Sequence, residues 1–137
     1  MPWSAKRIAL AGLAVVLVAG AGAAYGAYEY KRQERVKSEA AALTGGDPDQ
    51  APQLISRYGC GGCHTIPGLR GANGLVGPPL QKFAGRVYIG GVLPNRPDNL
   101  VRWIVNPRAL SSRTAMPRTG ISEAEARHVA AYLLTLR

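Results

Sequence analysis

Cys60-Gly61-Gly62-Cys63-His64 packs the only two cysteines of the chain and one of its two histidines into a single turn. A disulfide between these cysteines would close a tiny loop. It would stabilise little, because the entropy removed from the unfolded chain grows with loop length. A structural zinc site needs a fourth ligand, and the other histidine, His128, has no metal-like spacing from the cluster. A thioredoxin-like redox pair belongs in a βαβ context, which the surrounding pattern lacks. The spacing instead matches the C-x-x-C-H attachment pattern of a c-type haem. Two thiols on one turn can each form a thioether with a haem vinyl group, and the next residue then lies under the iron as an axial imidazole. The glycines leave the turn free to lie against the porphyrin face.

The 137 residues leave room for one ordinary domain. From Ile8 to Tyr28 there is no charged residue, and Ala, Gly, Val and Leu dominate. About 20 such residues suffice for a helix to cross a bilayer. A short basic head with Lys6 and Arg7 precedes the run, which fits a membrane anchor or a signal peptide. Ala21-Gly22-Ala23 offers small residues for cleavage. Tyr25, Tyr28 and Tyr30 look like an interfacial aromatic belt and favour the uncleaved anchor. The expected organisation is an anchor over residues 1–28, a charged, Ala-rich stalk or linker over 29–48, and one domain over 49–137. The breaker cluster Thr44-Gly45-Gly46-Asp47-Pro48-Asp49 marks the boundary.

A domain of roughly ninety residues buries a modest share of its surface and often needs a disulfide, a metal or a large cofactor. This one has only one Phe and one of the two Trp residues, so a cofactor serving as core would answer the shortage. The formal net charge is +9, and residues 45–137 hold eleven Lys/Arg against five Asp/Glu. A basic balance suggests acidic partners or anionic surfaces. The arginines are scattered singly through loops, with no basic stripe and no nucleic-acid motif, which argues against nucleic acid.

Hydrophobic spacing predicts three helices and two long loops. Leu54, Ile55 and Tyr58 mark a first helix from about Asp49 to Cys63. Residues 65–96 read as loop, punctuated by glycine and proline. Leu100, Trp103 and Ile104 mark a short helix over about Pro97 to Val105, ended by Pro107. Ser122-Glu123-Ala124-Glu125 is a capping-box pattern that opens a last helix, with Val129, Tyr132, Leu133 and Leu136 on its apolar stripe.

From about residue 50 onward the chain resembles a class I c-type cytochrome in its short, bacterial, mono-haem form. The landmarks fall in order: Tyr58 in the first helix, Cys60-Gly61-Gly62-Cys63-His64, Gly77-Pro78-Pro79-Leu80, Trp103 in the middle helix, Met116-Pro117, and Tyr132 in the last helix. The resemblance implies an all-α class I cytochrome c fold, three main helices and long loops around one haem, here preceded by one N-terminal transmembrane helix. It implies one haem c attached through Cys60 and Cys63, with His64 as an axial ligand. Pro78 sits where the family uses a proline carbonyl to accept the Nδ1 proton of that histidine. Met116 stands at the family's sixth-ligand position, with an open sixth site or His128 as alternatives. Trp103 and Arg86 resemble groups that approach the haem propionates. Tyr58 and Tyr132 are expected to pack the first and last helices together, and His128 to lie at the surface.

The function so implied is one-electron transfer between respiratory complexes or into a terminal oxidase, without catalysis by the chain itself. Arg70, Lys82, Arg113 and Arg118 would steer the haem edge toward an acidic redox partner, a terminal oxidase or a quinol-oxidising complex. The alternatives are a haem enzyme or gas sensor with a displaceable sixth ligand, and a haem subunit of a larger membrane oxidoreductase. Lys31, Arg32, Arg35 and Lys37 outnumber Lys6 and Arg7, so a strict positive-inside reading would leave the C-terminus in the cytoplasm. The family's haem attachment outside the bacterial cytoplasm overrides it and implies a single-pass inner-membrane protein with its haem domain in the periplasm.

Overall fold

The computed structural model describes residues 4–137; Met1, Pro2 and Trp3 of the expected anchor lie outside the described residues. The chain divides into two compact units, Met1–Arg35 and Val36–Arg137. In the first unit the described residues from Ala5 onward belong to a long helix, α1 (Ala5–Thr44), whose Ala-rich sequence favours helix and has no proline. The side chains of Ile8, Leu10, Leu13 and Val15 to Val18 are exposed along it. Its most apolar stretch has a mean hydropathy of 2.1, sufficient by length and composition to cross a membrane.

The second unit begins at Val36, inside the stretch read from the sequence as a stalk. Ala40 and Thr44, in the last turns of α1, are buried. Gly45 terminates the helix at a φ of +69°, a conformation that costs glycine little. The Thr44 carbonyl then accepts a hydrogen bond from Arg127 at 2.9 Å.

The expected helix from Asp49 to Cys63 is three elements rather than one. A 3-10 turn over Pro48–Gln50 leads into α2 (Ala51–Arg57), and a separate turn, α3 (Cys60–Cys63), carries the cysteines. Gly59, at a φ of +69°, makes the break and turns the cysteines onto a new axis. The expected loop over 65–96 is also more ordered than its glycines and prolines suggest. It holds a bridge between Thr65 and Asn73, a 3-10 turn over Phe83–Gly85, and a hairpin pairing β1 (Tyr88–Ile89) with β2 (Leu93–Pro94).

Helix α4 (Pro97–Val105) ends where expected, but Pro107 also starts something. It opens α5 (Pro107–Leu110), where its missing N–H is no loss, and the Asn106 side chain caps the turn from Ala109 N–H at 3.3 Å. Helix α6 (Glu123–Thr135) carries the complete capping box between Ser122 and Glu125. It packs against α4 and α2 through Leu54, Leu100, Val101, Ala126, Val129 and Leu133, all buried.

Two side chains behave differently from the sequence reading. Tyr58 does join first and last helices, donating to Glu125 at 2.8 Å. Tyr132 instead donates to the Pro67 carbonyl at 2.7 Å, so it braces the loop after the cysteine turn. His128 is half-buried rather than a plain surface residue. Its Nδ1 accepts the Asp47 N–H at 2.7 Å.

Glu125 collects hydrogen bonds from the Ser122 hydroxyl, the Tyr58 hydroxyl and the Ser122 N–H, which hold its pKa at about 2 against an ordinary 4.5. A carboxyl lowered in the folded state contributes stability that is fully present above 4.5 and lost as pH falls through about 2. Wild-type protein should therefore be more stable than Glu125→Gln at neutral pH. The gap should narrow as thermal unfolding is repeated between those two pH values.

Candidate functional site

The turn Cys60–Cys63 puts both thiols on one face of a single helical turn, and the His64 N–H closes it by donating to Cys60 O at 3.0 Å. Both cysteines are free thiols and half-buried. Burial pushes the Cys60 thiol up from its ordinary value, helped by the neighbouring Cys63 and opposed by a backbone hydrogen bond. Among the described residues the turn lies beside no βαβ unit, the context of a thioredoxin-like pair. Among the described residues no group of three or more His, Cys, Asp or Glu is disposed to hold a metal ion.

The His64 imidazole is oriented by a distant part of the chain. Its Nδ1 lies 2.8 Å from the Pro78 carbonyl oxygen. A carbonyl can only accept, so Nδ1 carries the proton and Nε2 keeps its lone pair free for a metal. The Pro78 carbonyl is itself fixed, because Gly77 N–H donates to Cys63 O at 2.7 Å and Leu80 N–H donates to Thr65 O at 2.8 Å. Gly77 lies flat on the imidazole, and a Cβ there would fall among the His64 ring atoms. Gly74 presses equally closely on the Gly62–Cys63 backbone.

Around this turn the second unit encloses a cavity of about 290 Å³. Cys60, Cys63, His64, Pro78, Arg86, Trp103 and Met116 all line it, so the structure brings together every site residue expected from the sequence. The remaining wall is mostly aliphatic and aromatic, with Ile55, Leu80, Phe83, Ile89, Leu100 and Ile104 among it. Met116 arrives on the loop after α5, half-buried, its N–H donating to Thr114 Oγ1 at 3.2 Å. Trp103 is buried on α4, with its ring against Gly90 of the hairpin, where a Cβ would clash. The Arg86 guanidinium stands 5.1 Å from the Phe83 ring centroid and donates to the Pro79 carbonyl.

His128 is not part of the wall, and its Nδ1 is occupied by Asp47. Arg70, Lys82, Arg113 and Arg118 are exposed and outside the cavity; Arg113 and Arg118 flank the wall segment 114–117. The sequence reading missed Gly77 and Gly90 as contact glycines and Phe83 as the shelf under Arg86. A glycine directly before Pro78 was the one available signal.

The donor set fits a haem. Two thiols on one turn, an imidazole with a free Nε2, a thioether from another loop and apolar walls are the groups a covalently held, doubly ligated haem takes up. The family described as Cytochrome c matches residues 49–137. Cytochrome c oxidase subunit 2 of Alkalihalophilus pseudofirmus is 33% identical over 90 residues, covering 65% of this chain and 25% of that protein. The chain thus matches about a quarter of that relative's length. No solved structure is significantly similar to it.

Gly77→Ala should drive a methyl group into the imidazole or push the Pro78 carbonyl away from it. The expected cost is about 1–3 kcal/mol of stability, as for other overpacked sites, read by denaturant unfolding of the pigmented protein.

Proposed function

Since this chain belongs to the cytochrome c family, we propose that it is a membrane-tethered one-electron carrier with a single haem attached through Cys60 and Cys63 and ligated by His64 and Met116. Family membership makes it a haem-binding electron-transfer protein. The single observation that carries the finer reading is the convergence of Cys60, Cys63, His64 and Met116 on one apolar cavity.

When bound, the haem supplies reversible one-electron exchange at iron. The residues around it determine how that exchange proceeds. His64 offers Nε2 in a tautomer fixed by Pro78, and the same hydrogen bond raises its basicity as a ligand. Met116 offers a soft, neutral sulfur, which favours the ferrous state relative to a second histidine. If His64 and Met116 both held the haem, the protein would supply both of its side-chain ligands and leave no place there for substrate. The aliphatic walls exclude water, and Arg86 and Trp103 stand ready for the propionate side.

The partner we propose is an acidic protein of a respiratory chain, with entry into a terminal oxidase favoured by the relative's name, an oxidase subunit. Residues 65–120 carry eight Lys/Arg and one carboxylate, Asp98. Among the described residues none of those eight cations has an ion-pair partner, while Arg57, Arg127 and Arg137 do. Cations without carboxylate partners raise encounter rates with a negative surface. Leu75 and Val76, 87% and 81% exposed beside Gly77, add an apolar contact next to that charge. The apolar run of α1 supports the anchor, and covalent haem attachment supports the periplasmic side.

The intact mass of the native protein tests the attachment: it should equal the polypeptide plus one haem. The ligation is tested optically. Wild-type ferric protein should show the weak far-red band of a sulfur-ligated haem, and its ferrous spectrum should not respond to carbon monoxide. Met116→Ala should lose the band and bind carbon monoxide; a wild type that binds it readily would mean a displaceable ligand, hence a sensor or enzyme.

A further inference from the structure

Asn95 follows β2 directly and stands behind the cavity wall. Its side-chain Nδ2 donates to Phe83 O at 3.1 Å and to Arg86 O at 3.0 Å, and its backbone N–H donates to Val87 O at 2.9 Å. Three carbonyls of the stretch 83–87 therefore converge on one residue. The remaining polar atom, Oδ1, is buried and has no hydrogen-bond partner among the described residues. The opposite amide orientation would face Oδ1 toward two carbonyl oxygens, acceptor against acceptor, so the donors dictate the orientation. A buried acceptor left unpaired opposes folding. The position keeps it nonetheless, for the sake of two donors that no apolar residue could supply.

What those donors hold is the turn that carries Phe83 and Arg86 into the cavity. From there the Arg86 side chain reaches the Pro79 carbonyl, and the adjoining Pro78 carbonyl takes the His64 Nδ1 proton. We infer that Asn95 is a positioning residue for His64, acting through Arg86 and the Pro78–Pro79 segment; this rests on His64 being the axial ligand proposed above. Asn95 touches neither the ligand nor the cavity. It holds the Arg86 backbone, whose guanidinium holds the Pro79 carbonyl beside the Pro78 carbonyl that takes the imidazole proton.

The test uses full-length, haem-loaded protein carrying Asn95→Ala, Asn95→Ser, Arg86→Gln or both changes. Paramagnetic NMR of the His64 ring, the midpoint potential and denaturant unfolding are measured for each. Asn95→Ala should displace the His64 ring resonances and shift the potential while the far-red ferric band persists. Because the effect passes through Arg86, the potential shift in the Arg86→Gln background should be less than about half that in wild type, a failure of additivity expected only for coupled residues. Should Asn95→Ala not accumulate, Asn95→Ser, which keeps one donor, carries the same comparison. Loss of stability with unchanged potential and His64 resonances would overturn the inference, as would fully additive shifts. A wild-type spectrum without histidine ligation would instead overturn the premise, and is visible before any variant is made.

Discussion

Everything in the second unit is arranged around a space that the polypeptide does not fill. Leu100, Ile104, Val129 and Leu133 belong at once to the hydrophobic core and to the wall of the cavity, so the core and the binding site are the same object. The cost of leaving such a volume unfilled is large. An apolar wall without packing partners forfeits the contacts that a filled core would make. Small domains have in total only about 5–15 kcal/mol of stability. A chain with one Phe and few large aromatics cannot make this good from its own side chains. The cofactor is thus a structural member, and covalent attachment through Cys60 and Cys63 would make it a permanent one.

Given that centre, the loops have a job that helices could not do. Each presents one group at one place: His64 from the turn after Cys63, Pro78 from the glycine-rich stretch, Arg86 from the 3-10 turn, Met116 from the segment before α6. Backbone hydrogen bonds such as Gly74 N–H to Gly61 O, 3.0 Å, and Gly77 N–H to Cys63 O, 2.7 Å, sew these loops to the cysteine turn. Charge is divided along the same line. Glu39, Asp49, Glu123 and Glu125 all have cationic partners, on the helical side. Exposed pairs of this kind contribute about 0–1 kcal/mol each, so their number says little about stability. Their consequence is distribution: these four carboxylates are paired, while the eight Lys/Arg of residues 65–120 face one carboxylate, Asp98.

The sequence made the chemistry legible before the architecture. Cys60, Cys63 and His64 announce themselves by contiguity, and Pro78 and Met116 by their order within a family pattern; α6 was readable because Ser122 and Glu125 form a local capping box. What escaped was non-local. Gly59 splits the first helix because the cysteine turn must change direction to face the cavity, and no periodicity in Leu54, Ile55 and Tyr58 encodes that. The hairpin at Tyr88–Pro94 is only two residues long on each side, too short for an alternation signal. Tyr132 reaches Pro67 rather than Tyr58, and Asn95 reaches carbonyls some ten residues upstream; neither partner is written in local spacing.

The most instructive case is the double glycine at 45–46, part of the breaker cluster that marks the domain boundary in the sequence. Gly46 is buried so tightly against the Arg127–His128 backbone that a Cβ would overlap it. Thr44 Oγ1 donates to Ala40 O at 2.8 Å and accepts from Gly46 N–H at 3.1 Å, while Arg127 and His128 take the next carbonyl and N–H. Lys37 with Asp49 and Glu39 with Arg137 pair the last turns of α1 with the residues they cover. Glycine here serves close approach, not motion. Residues 44–47 are therefore part of what α6 packs against, and the end of α1 is built into the second unit.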